Sequence, residues 1–445
     1  MAEISKESSL HLVVFPWLAF GHITPFMELS KQLTKHGHVV SFVSTPRNIA
    51  RLKEPIAGDD EFAARIRLVP LPLPNDVEGL PDGAESTADL PPEKSELLEV
   101  AFDGLAPRFS AFLADLCNKK KPDWIIVDYA HHWLPAIADE HGVPCALFMT
   151  FPATMACSPT PRPRYEAAWL AGAQRPTASG VSGADRFMET ARRCRALVFR
   201  TADEFDGPLC PALAGVFRLP ALPAGMLAPQ LDDAAAIVDV DANDGELMRW
   251  LDEQPEGSVL YAAFGSEAPL TAAHVREVAL GLELAGVRFL WALRRRSAEL
   301  LPAGFERRVS ESGRGLVRAG WVPQLRVLAH AAVGAFMTHG GMSSVVEGLL
   351  FGRRLLLLPL FGDQGHTARA MAARRVGVQV HRNEDDGSFG AEDVAAAVRR
   401  VMADSEEGEV FSGNANELRE VLRDRARQER YIDELAQSLR QLARK

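Results

Sequence analysis

Cysteine pairs, metal-binding motifs and long apolar runs are the features that this sequence lacks. Its 445 residues include five cysteines with no CxxC pair and no disulfide-like spacing, so we interpret them as free, buried thiols of a cytoplasmic protein. No apolar run has the length of a membrane span, and Met1 to Ser9 is too short and too polar for a signal peptide. The acidic run Glu384–Asp386 precedes Gly387, which is typical of an exposed turn rather than of a ligand set. We therefore expect no metal, no other cofactor and no membrane span.

Positive charge is also in deficit. The chain has 49 Lys and Arg against 59 Asp and Glu, a formal net charge of −10, which argues against a nucleic-acid partner. An anionic ligand would have to be held by dipoles and local donors rather than by a basic surface. No GxGxxG follows the first apolar strand, so an NAD-linked enzyme is disfavoured.

Apolar strands and amphipathic helices alternate in both halves of the chain. The alternation begins at Leu12, weakens between Ala153 and Ser182, and restarts at Val259 after a stretch rich in Pro, Ala and Asp. We predict an α/β protein with two doubly wound, Rossmann-like parallel sheets that face a cleft. The predicted parts are an N-terminal domain over 1–220, a linker over 221–244, a C-terminal domain over 245–425 and a C-terminal helix over 426–445.

One stretch of the C-terminal half has the order strand, glycines, hydroxyls, helix. After the short apolar strand Gly334–Thr338, the segment His339–Gly341 lets the backbone approach an anion closely. Ser343 and Ser344 then open a helix, whose first N–H groups lie at its positive dipole end. The serines can cap that helix and donate to a phosphate oxygen. This order predicts a phosphate site.

Further polar residues follow the phosphate motif. Glu347 lies four residues after Ser343 on the same helical face, a position that suits the diol of a ribose. Asp363 and Gln364 lie in the loop after a second apolar strand, Leu355–Leu358. Ligands of open parallel sheets bind at the carboxyl ends of the strands. We therefore expect the phosphate donors and this carboxylate–amide pair to face one cleft.

In the first half, the most informative residue is His22. It follows the first strand through a glycine, at the end of a predicted loop over Ala19–His22, and Asp128 ends another strand. An imidazole can act as a general base near neutral pH, and a carboxylate on its other nitrogen would select the tautomer and stabilise the imidazolium. The two residues meet only if their strands are neighbours. The alternative is that His22 caps a helix and Asp128 is a turn residue.

These residues also resemble a known family. The stretch from Trp321 to Gln364 is similar to the signature box of the plant family-one UDP-sugar glycosyltransferases. The matching positions are Trp321, Pro323, Gln324, His330, His339, Gly341, Ser344, Glu347, Gly352, Pro359, Asp363 and Gln364. The resemblance implies the GT-B fold, in which the last helix crosses back onto the first domain. It also implies inverting transfer of a sugar from a UDP-sugar, with His22 and Asp128 as the catalytic pair.

The resemblance assigns donor-site roles as well. It implies that Trp321 stacks on uracil, Gln324 bonds the uridine and Glu347 holds the ribose. The diphosphate would be held by His339, Ser343, Ser344 and the turn that contains Ser266, and the sugar hydroxyls by Asp363 and Gln364. The donor site as we predict it also includes Gly21, Val322, Gly341 and Met342.

The box departs from the family pattern at four positions. Gly340, Met342, Ser343 and Arg354 stand where Cys, Trp, Asn and Pro are usual. Ser343 can still donate one hydrogen bond, so phosphate binding should survive. Met342 cannot supply the flat surface of an indole, and we expect donor affinity and sugar choice to depend on this difference.

The acceptor site is less defined by the sequence. Trp17, Phe20, Phe148 and Phe151 lie near strand ends, where they form either an acceptor wall or core. His131 either lines the acceptor pocket or is structural. The resemblance thins between Ala153 and Asp206. Over the rest of the chain, the resemblance is to the branch-forming enzymes. These enzymes add a sugar, often through a 1→2 linkage, to a sugar that is already attached to a flavonoid or to a terpenoid such as a steviol glycoside.

The predicted function is thus transfer of a sugar to a small-molecule glycoside by a monomeric enzyme. Gln364 indicates UDP-glucose as donor, although related enzymes use UDP-rhamnose. Two alternatives stay open: a sugar-nucleotide epimerase or hydrolase on the same fold, and a UDP-binding protein whose altered box has lost turnover.

Overall fold

The chain folds into two units, each built on a parallel sheet. The computed structural model describes residues 9–57, 60–151, 153–154, 162–230, 242–265, 268–294 and 298–444. One unit comprises Met1–Ser158, Ala171–Leu227 and Arg425–Lys445, and the other Pro159–Leu170 and Ala228–Asp424.

Within the described residues, the first unit has a sheet of seven parallel strands in the order β3-β2-β1-β4-β5-β6-β7. The strands are β1 His11–Phe15, β2 Val39–Ser44, β3 Ile66–Pro70, β4 Trp124–Val127, β5 Cys145–Met149, β6 Ala196–Phe199 and β7 Ala221–Pro223. Strands β1, β4 and β5 are buried along their whole length, as expected for a parallel sheet covered on both faces. The strand order reverses between β1 and β4, which makes their carboxyl ends the switch point of this sheet.

Helices cover both faces of this sheet. They are α1 Phe20–Lys35, α2 Pro46–Ala57, α3 Asp60–Arg65, α4 Ser95–Asp103, α5 Ala106–Lys120, α6 Leu134–Glu140, α8 Gly183–Arg193, α9 Asp203–Asp206 and α10 Cys210–Phe217, with short 3₁₀ turns at Thr87–Asp89 and Pro92–Lys94. Helix α7 Arg164–Gly172 falls between α6 and α8 in the chain, but most of it groups with the second unit. The core on one face contains Phe15, Phe102 and Phe109, and the core on the other contains Phe26 and Phe148.

The second unit repeats the architecture. Its described residues include six parallel strands in the order β10-β9-β8-β11-β12-β13, with the switch point between β8 and β11. The strands are β8 Val259–Ala263, β9 Arg288–Leu293, β10 Gly315–Ala319, β11 Val333–Thr338, β12 Arg354–Leu357 and β13 Gly377–Gln379. The helices are α11 Ala242–Asp252, α12 Ala272–Ala285, α13 Phe305–Glu311, α14 Gln324–Ala329, α15 Met342–Leu350, α16 Gln364–Ala373, α17 Ala391–Met402 and α18 Glu406–Arg423.

The last helix, α19 Arg425–Ala443, belongs to the first unit. Its residues Ile432, Leu435 and Leu439 lie in the core that contains Phe26. The indole N–H of Trp124 donates to the carbonyl of Leu439 at 3.0 Å. The amphipathic C-terminal sequence therefore buries its apolar face against the N-terminal sheet.

Two details differ from the sequence-based boundaries. Ala221–Pro223, placed in the predicted linker 221–244, forms β7 and pairs with β6, because its short apolar run completes the sheet edge. Pro159–Leu170, inside the predicted domain 1–220, groups with the second unit. Residues 231–241 of the linker lie outside the described residues.

Two expectations about loops and membranes can be compared directly with the structure. Glu384, Asp385 and Asp386 lie exposed in a turn, which confirms the prediction for the acidic run. Among the described residues, no helix combines the length and apolarity needed to cross a membrane. Cys117, Cys145, Cys194 and Cys210 are free thiols, and Cys157 lies outside the described residues.

Candidate active site

His22 and Asp128 meet at the switch point of the first sheet. Strands β1 and β4 pair with Phe15 opposite Val127, so the residues that follow them leave the sheet side by side. His22 Nδ1 lies 2.8 Å from Asp128 Oδ2, although 106 positions separate the two residues in the chain. The sequence left open whether these two strands are neighbours. In the structure they are, and the histidine–carboxylate contact is formed.

Helix α1 begins earlier than the sequence suggested. We interpreted Ala19–His22 as a loop, whereas the helix starts at Phe20 and His22 lies in its first turn. Pro25 can lie inside the helix because the hydrogen bond that it removes would have gone to the carbonyl of Gly21, an exposed residue that can use water instead. Gly21 has open space beside its Cα, so the surface next to His22 is accessible.

Asp128 is held as a carboxylate. Burial by itself raises the pKa of this residue, which is 2% exposed, but the charge and hydrogen bond of the His22 ring and the amide of Trp17 outweigh it and hold the pKa below its ordinary value. The Trp17 amide donates to Oδ2 at 3.1 Å and the Tyr129 amide to Oδ1 at 2.7 Å. An anionic acceptor at Nδ1 keeps the proton on that nitrogen, so the lone pair of the neutral ring lies on Nε2.

His131 is structural, which corrects its assignment to the acceptor site. Its side chain is fully buried, with its ring edge-on to Phe15 and Phe102 at centroid distances of 4.7 and 4.8 Å. Its Nδ1 lies 3.1 Å from the carbonyl oxygen of Asp128. Burial lowers the pKa of His131 to about 4, so the ring is neutral. It supports the loop behind the Asp128 carboxylate instead of facing a ligand.

The aromatic residues of the predicted acceptor wall divide into two groups. Phe148 is fully buried and packs on Phe26 at 4.8 Å, and Trp17 is 4% exposed and packs on Phe102 at 5.0 Å. These two side chains are core because the sheet is covered on both faces. Phe20 and Phe151 are half-buried near the strand ends, and the Arg51 guanidinium lies over the Phe20 ring at 5.4 Å. An acceptor role for Phe20 and Phe151 stays a prediction.

The predicted phosphate motif lies at the switch point of the second sheet. Helix α15 starts at Met342 after Gly341, which occupies the N-cap position without a side-chain cap. Ser343 and Ser344 therefore lie in the first turn. They do not cap the helix, although we had expected them to do so. Met342 is buried, at 5% exposure. Ser266, from the turn after β8, lies outside the described residues.

His339 lies between the glycines of this switch point. A Cβ at Gly265 would come within 3.0 Å of the His339 ring, and one at Gly341 within 2.5 Å. Both positions therefore need glycine, and Gly265 in addition has a φ of +74°. Burial lowers the pKa of His339 to about 4. The ring is thus neutral at physiological pH and can offer a phosphate a hydrogen bond but no positive charge.

A chain of hydrogen bonds fixes Glu347. Gln324 Nε2 donates to Glu347 Oε2 at 2.5 Å, and the hydroxyl of Tyr261 donates to Gln324 Oε1 at 3.2 Å. Tyr261 is buried on β8 and stacks on Phe336 at 5.2 Å. Burial, and to a smaller extent the charge of Glu347, raise the pKa of Tyr261. The Tyr261 hydroxyl therefore keeps its proton and remains a donor. Sequence reasoning missed Tyr261, because nothing distinguishes it from the core residues of its strand.

The remaining residues that we predicted for the donor site lie on the same unit. Trp321 is 71% exposed, which is unusual for a large indole and fits the flat surface expected for stacking on a base, whereas Val322 beside it is buried. Asp363 occupies the N-cap position of α16 and is half-buried. Gln364 is 3% exposed, and its Oε1 accepts from the Leu360 and Phe361 amides at 2.9 and 3.1 Å. Its oxygen is bound to the protein, so its NH₂ group is the part that can donate to a ligand.

Two departures from the family pattern have local explanations. Gly340 has a φ of +87°, a conformation that a glycine adopts without strain. The guanidinium of Arg354 donates to the carbonyl of Ala403 at 3.2 Å, which ties β12 to the end of α17. Among the described residues, no three His, Cys, Asp or Glu side chains are grouped in a way that could hold a metal ion.

Comparisons with known proteins agree with this geometry. Residues 225–428 match the family described as UDP-glucoronosyl and UDP-glucosyl transferase. The chain is 38% identical to UDP-glycosyltransferase 91C1 of Arabidopsis thaliana, over 98% of this chain and 97% of that protein. It is 33% identical to the anthocyanidin-3-O-glucoside rhamnosyltransferase of Petunia hybrida, over 99% and 98% of the two chains. The crystal structure of Arabidopsis thaliana UGT89C1 with UDP-L-rhamnose is similar at a TM-score of 0.79 and 26% identity, covering 97% and 99% of the two chains.

Fold and relatives together define an enzyme of the GT-B class, a glycosyltransferase that takes its sugar from a UDP-sugar. More particularly, the chain belongs to the plant family-one UDP-sugar glycosyltransferases.

Proposed function

We propose that this protein transfers glucose from UDP-glucose, with inversion at the anomeric carbon, to a hydroxyl of a sugar already attached to a small apolar molecule. The acceptor class would be terpenoid or flavonoid glycosides, with 1→2 linkage as the expected product. The observation that carries the proposal is the 2.8 Å contact between His22 and Asp128 at the switch point of the first sheet.

In the proposed step, His22 Nε2 accepts the proton of the acceptor hydroxyl while its oxygen attacks the anomeric carbon. The bond from that carbon to the UDP oxygen breaks on the opposite face, and UDP leaves with the electron pair. Asp128 stabilises the imidazolium that forms, because it is already a carboxylate and already oriented towards Nδ1. A single displacement inverts the configuration.

The leaving diphosphate gains negative charge, and the second unit would have to stabilise it. We assign this role to the first-turn N–H groups of α15, to Ser343 and Ser344, and to a hydrogen bond from neutral His339. Removal of one such preorganised donor typically costs about 10²–10³-fold in rate. We propose that no divalent cation takes part, and EDTA should leave the rate unchanged.

The acceptor and donor assignments have different support. The Petunia hybrida relative is named for an acceptor that already carries glucose, which supports transfer onto a sugar. The choice of glucose depends on the amide of Gln364, whose NH₂ group is the end available to a sugar hydroxyl. The same relative is a rhamnosyltransferase by name, so UDP-rhamnose is the donor against which UDP-glucose must be compared. We propose a cytoplasmic monomer, which the free thiols support.

One assay tests the proposal and its alternatives. UDP release is measured with UDP-glucose, UDP-galactose and UDP-rhamnose, each with and without a panel of terpenoid and flavonoid glycosides and their aglycones. We expect release only when a glycoside acceptor is present, and fastest with UDP-glucose. Release without acceptor would indicate a hydrolase, and a changed sugar without UDP release an epimerase. UDP binding without any turnover would indicate a binding protein and would contradict the proposal.

A further inference from the structure

Helix α7 lies on the second unit beside the loop that carries Asp363 and Gln364. Pro159–Leu170 group with that unit, although the chain before and after this segment belongs to the other. Glu166 is 4% exposed, and Arg369 Nη1 donates to its Oε1 at 2.5 Å. Arg369 lies on α16, the helix that Gln364 begins. The ion pair therefore joins α7 to the first turns of α16.

The Glu166 carboxylate also occupies the space beside Gly365. A Cβ at position 365 would collide with both carboxylate oxygens, so only glycine allows the contact. Gly365 directly follows Gln364, and Arg369 lies one helical turn further on the same face. Glu166 thus contacts α16 at two points of one face, and the nearer point is adjacent to the amide that we assign to the sugar.

A second contact holds the other end of the same loop. The Arg382 guanidinium lies over the rings of Tyr165, Trp169 and Phe389, at 4.8, 5.6 and 5.6 Å from their centroids. Arg382 also donates to the carbonyls of Pro359 and Gly387. Pro359 follows β12 and begins the loop that ends at Gln364. Two aromatic residues of α7 therefore anchor the residue that binds the start of this loop.

We propose that Glu166 is a positioning residue for the sugar site, and that α7, through Glu166 and the Arg382 cluster, determines which sugar the donor site accepts. The inference rests on the proposed function of Asp363 and Gln364. Because both ends of the segment Pro359–Gln364 are tied to α7, a change in the helix shifts the groups that bond the sugar hydroxyls. The uridine-binding residues Gln324 and Glu347 depend on other contacts. Substitutions in α7 should therefore alter donor choice as well as any acceptor preference.

The test compares Glu166→Gln with a control that removes a different ion pair of the same helix. Glu166→Gln keeps the shape of the side chain and removes its charge, which leaves Arg369 without a counterion in a largely buried site. The control is Asp385→Asn, which removes the exposed ion pair of Asp385 with Arg164 at 2.8 Å. Such exposed pairs contribute little to stability.

We expect Glu166→Gln to raise KM for UDP-glucose about tenfold with little change in kcat, and to reduce the preference for UDP-glucose over UDP-galactose by a similar factor, as the loss of one charge-assisted bond would do. The Kd of UDP alone, measured by calorimetry, should be unchanged. Asp385→Asn should match the wild type in all these values. Arg369→Gln should reproduce the Glu166→Gln pattern and serves as the second variant if Glu166→Gln does not fold.

The outcomes separate the two proposals. Equal weakening of UDP and UDP-glucose binding, or no change in either, would overturn the role of Glu166. If the wild type transfers no sugar, the proposed function fails, and the Kd values of UDP-glucose and UDP still test Glu166 because they need no turnover.

Discussion

The two sheets each place a histidine at their switch point, and the two imidazoles are held in different ways. After β1, the His22 side chain is 27% exposed and contacts the Asp128 carboxylate. After β11, His339 packs between Gly265 and Gly341, and burial lowers its pKa to about 4. A carboxylate stabilises a ring that gains a proton, whereas burial disfavours the charged ring. The residue that meets each ring from the end of the neighbouring strand, Asp128 after β4 and Gly265 two positions after β8, therefore decides what each histidine can do.

The largest effect is expected at His22. His22→Ala should lower kcat for sugar transfer by roughly 10³- to 10⁴-fold, because it removes the proposed general base. The Kd of UDP should change little, since the side chains that we assign to the uridine and the phosphates lie on the other unit. His339→Ala is the matched variant and should raise the Kd of UDP. Steady-state UDP release and calorimetry measure both quantities, and transfer that survives in His22→Ala would refute the assigned base.

Asp128→Asn should lower kcat by roughly 10²-fold, because an amide neither selects the Nδ1–H tautomer nor stabilises the imidazolium. The double variant with His22→Ala should be no slower than His22→Ala alone, since the two residues act as one unit. If the loss of activation free energy in the double variant equals the sum of the losses in the two single variants, Asp128 acts independently of His22.

Tyr261→Phe should raise KM for the UDP-sugar about fivefold, which corresponds to about 1 kcal/mol for one lost hydrogen bond. The loss leaves Gln324 with one partner fewer and so loosens Glu347. Tyr431→Phe is the control, because it removes a hydroxyl that bonds Glu204 at 2.8 Å in the first unit. An unchanged KM in Tyr261→Phe would mean that the Tyr261 hydroxyl does not support the Glu347 carboxylate through Gln324.

The smallest effect concerns pH. The pKa of His339 falls from 6.5 when unfolded to about 4 when folded, so between these values the unfolded chain binds more protons. The free energy of unfolding should therefore fall as the pH is lowered from 6.5 towards 4. Buried His38 and His131, also with pKa values of about 4, add to the slope. His339→Asn should reduce the slope without removing it, as urea unfolding at several pH values would show. An equal slope in the variant would contradict the buried, neutral ring.

Much of the fold and of the candidate site followed from local patterns. The order of strand, glycines, hydroxyls and helix placed His339 to Ser344 at the end of a strand, and the alternation of elements predicted two parallel sheets. These inferences succeeded because each depends on residues within one turn or one strand of each other. The cap assigned to Ser343 and the loop assigned to His22 were wrong by only a few residues, since helix starts depend on small differences in local bonding.

The residues that sequence reasoning missed or misassigned depend on distant partners. The sequence is equally compatible with Phe148 and His131 lining a ligand pocket or lying in the core. Only the structure shows that Phe26 packs on Phe148 and Phe15 on His131, which places both in the core. In the sequence, Tyr261 cannot be distinguished from the other residues of its apolar strand. Its role becomes visible only in the folded chain, where its hydroxyl bonds Gln324, 63 positions away.

The amino-acid sequence by itself determined the kinds of chemistry present: an imidazole and a carboxylate at strand ends, and a helix start suited to phosphate. Tertiary structure alone decided that β4 lies beside β1, so that the imidazole and the carboxylate form a pair, and that α7 packs on the second unit. The reason is physical. Strand neighbours and helix docking are selected by the burial of whole apolar faces and by buried ion pairs between distant residues, and no local spacing encodes either.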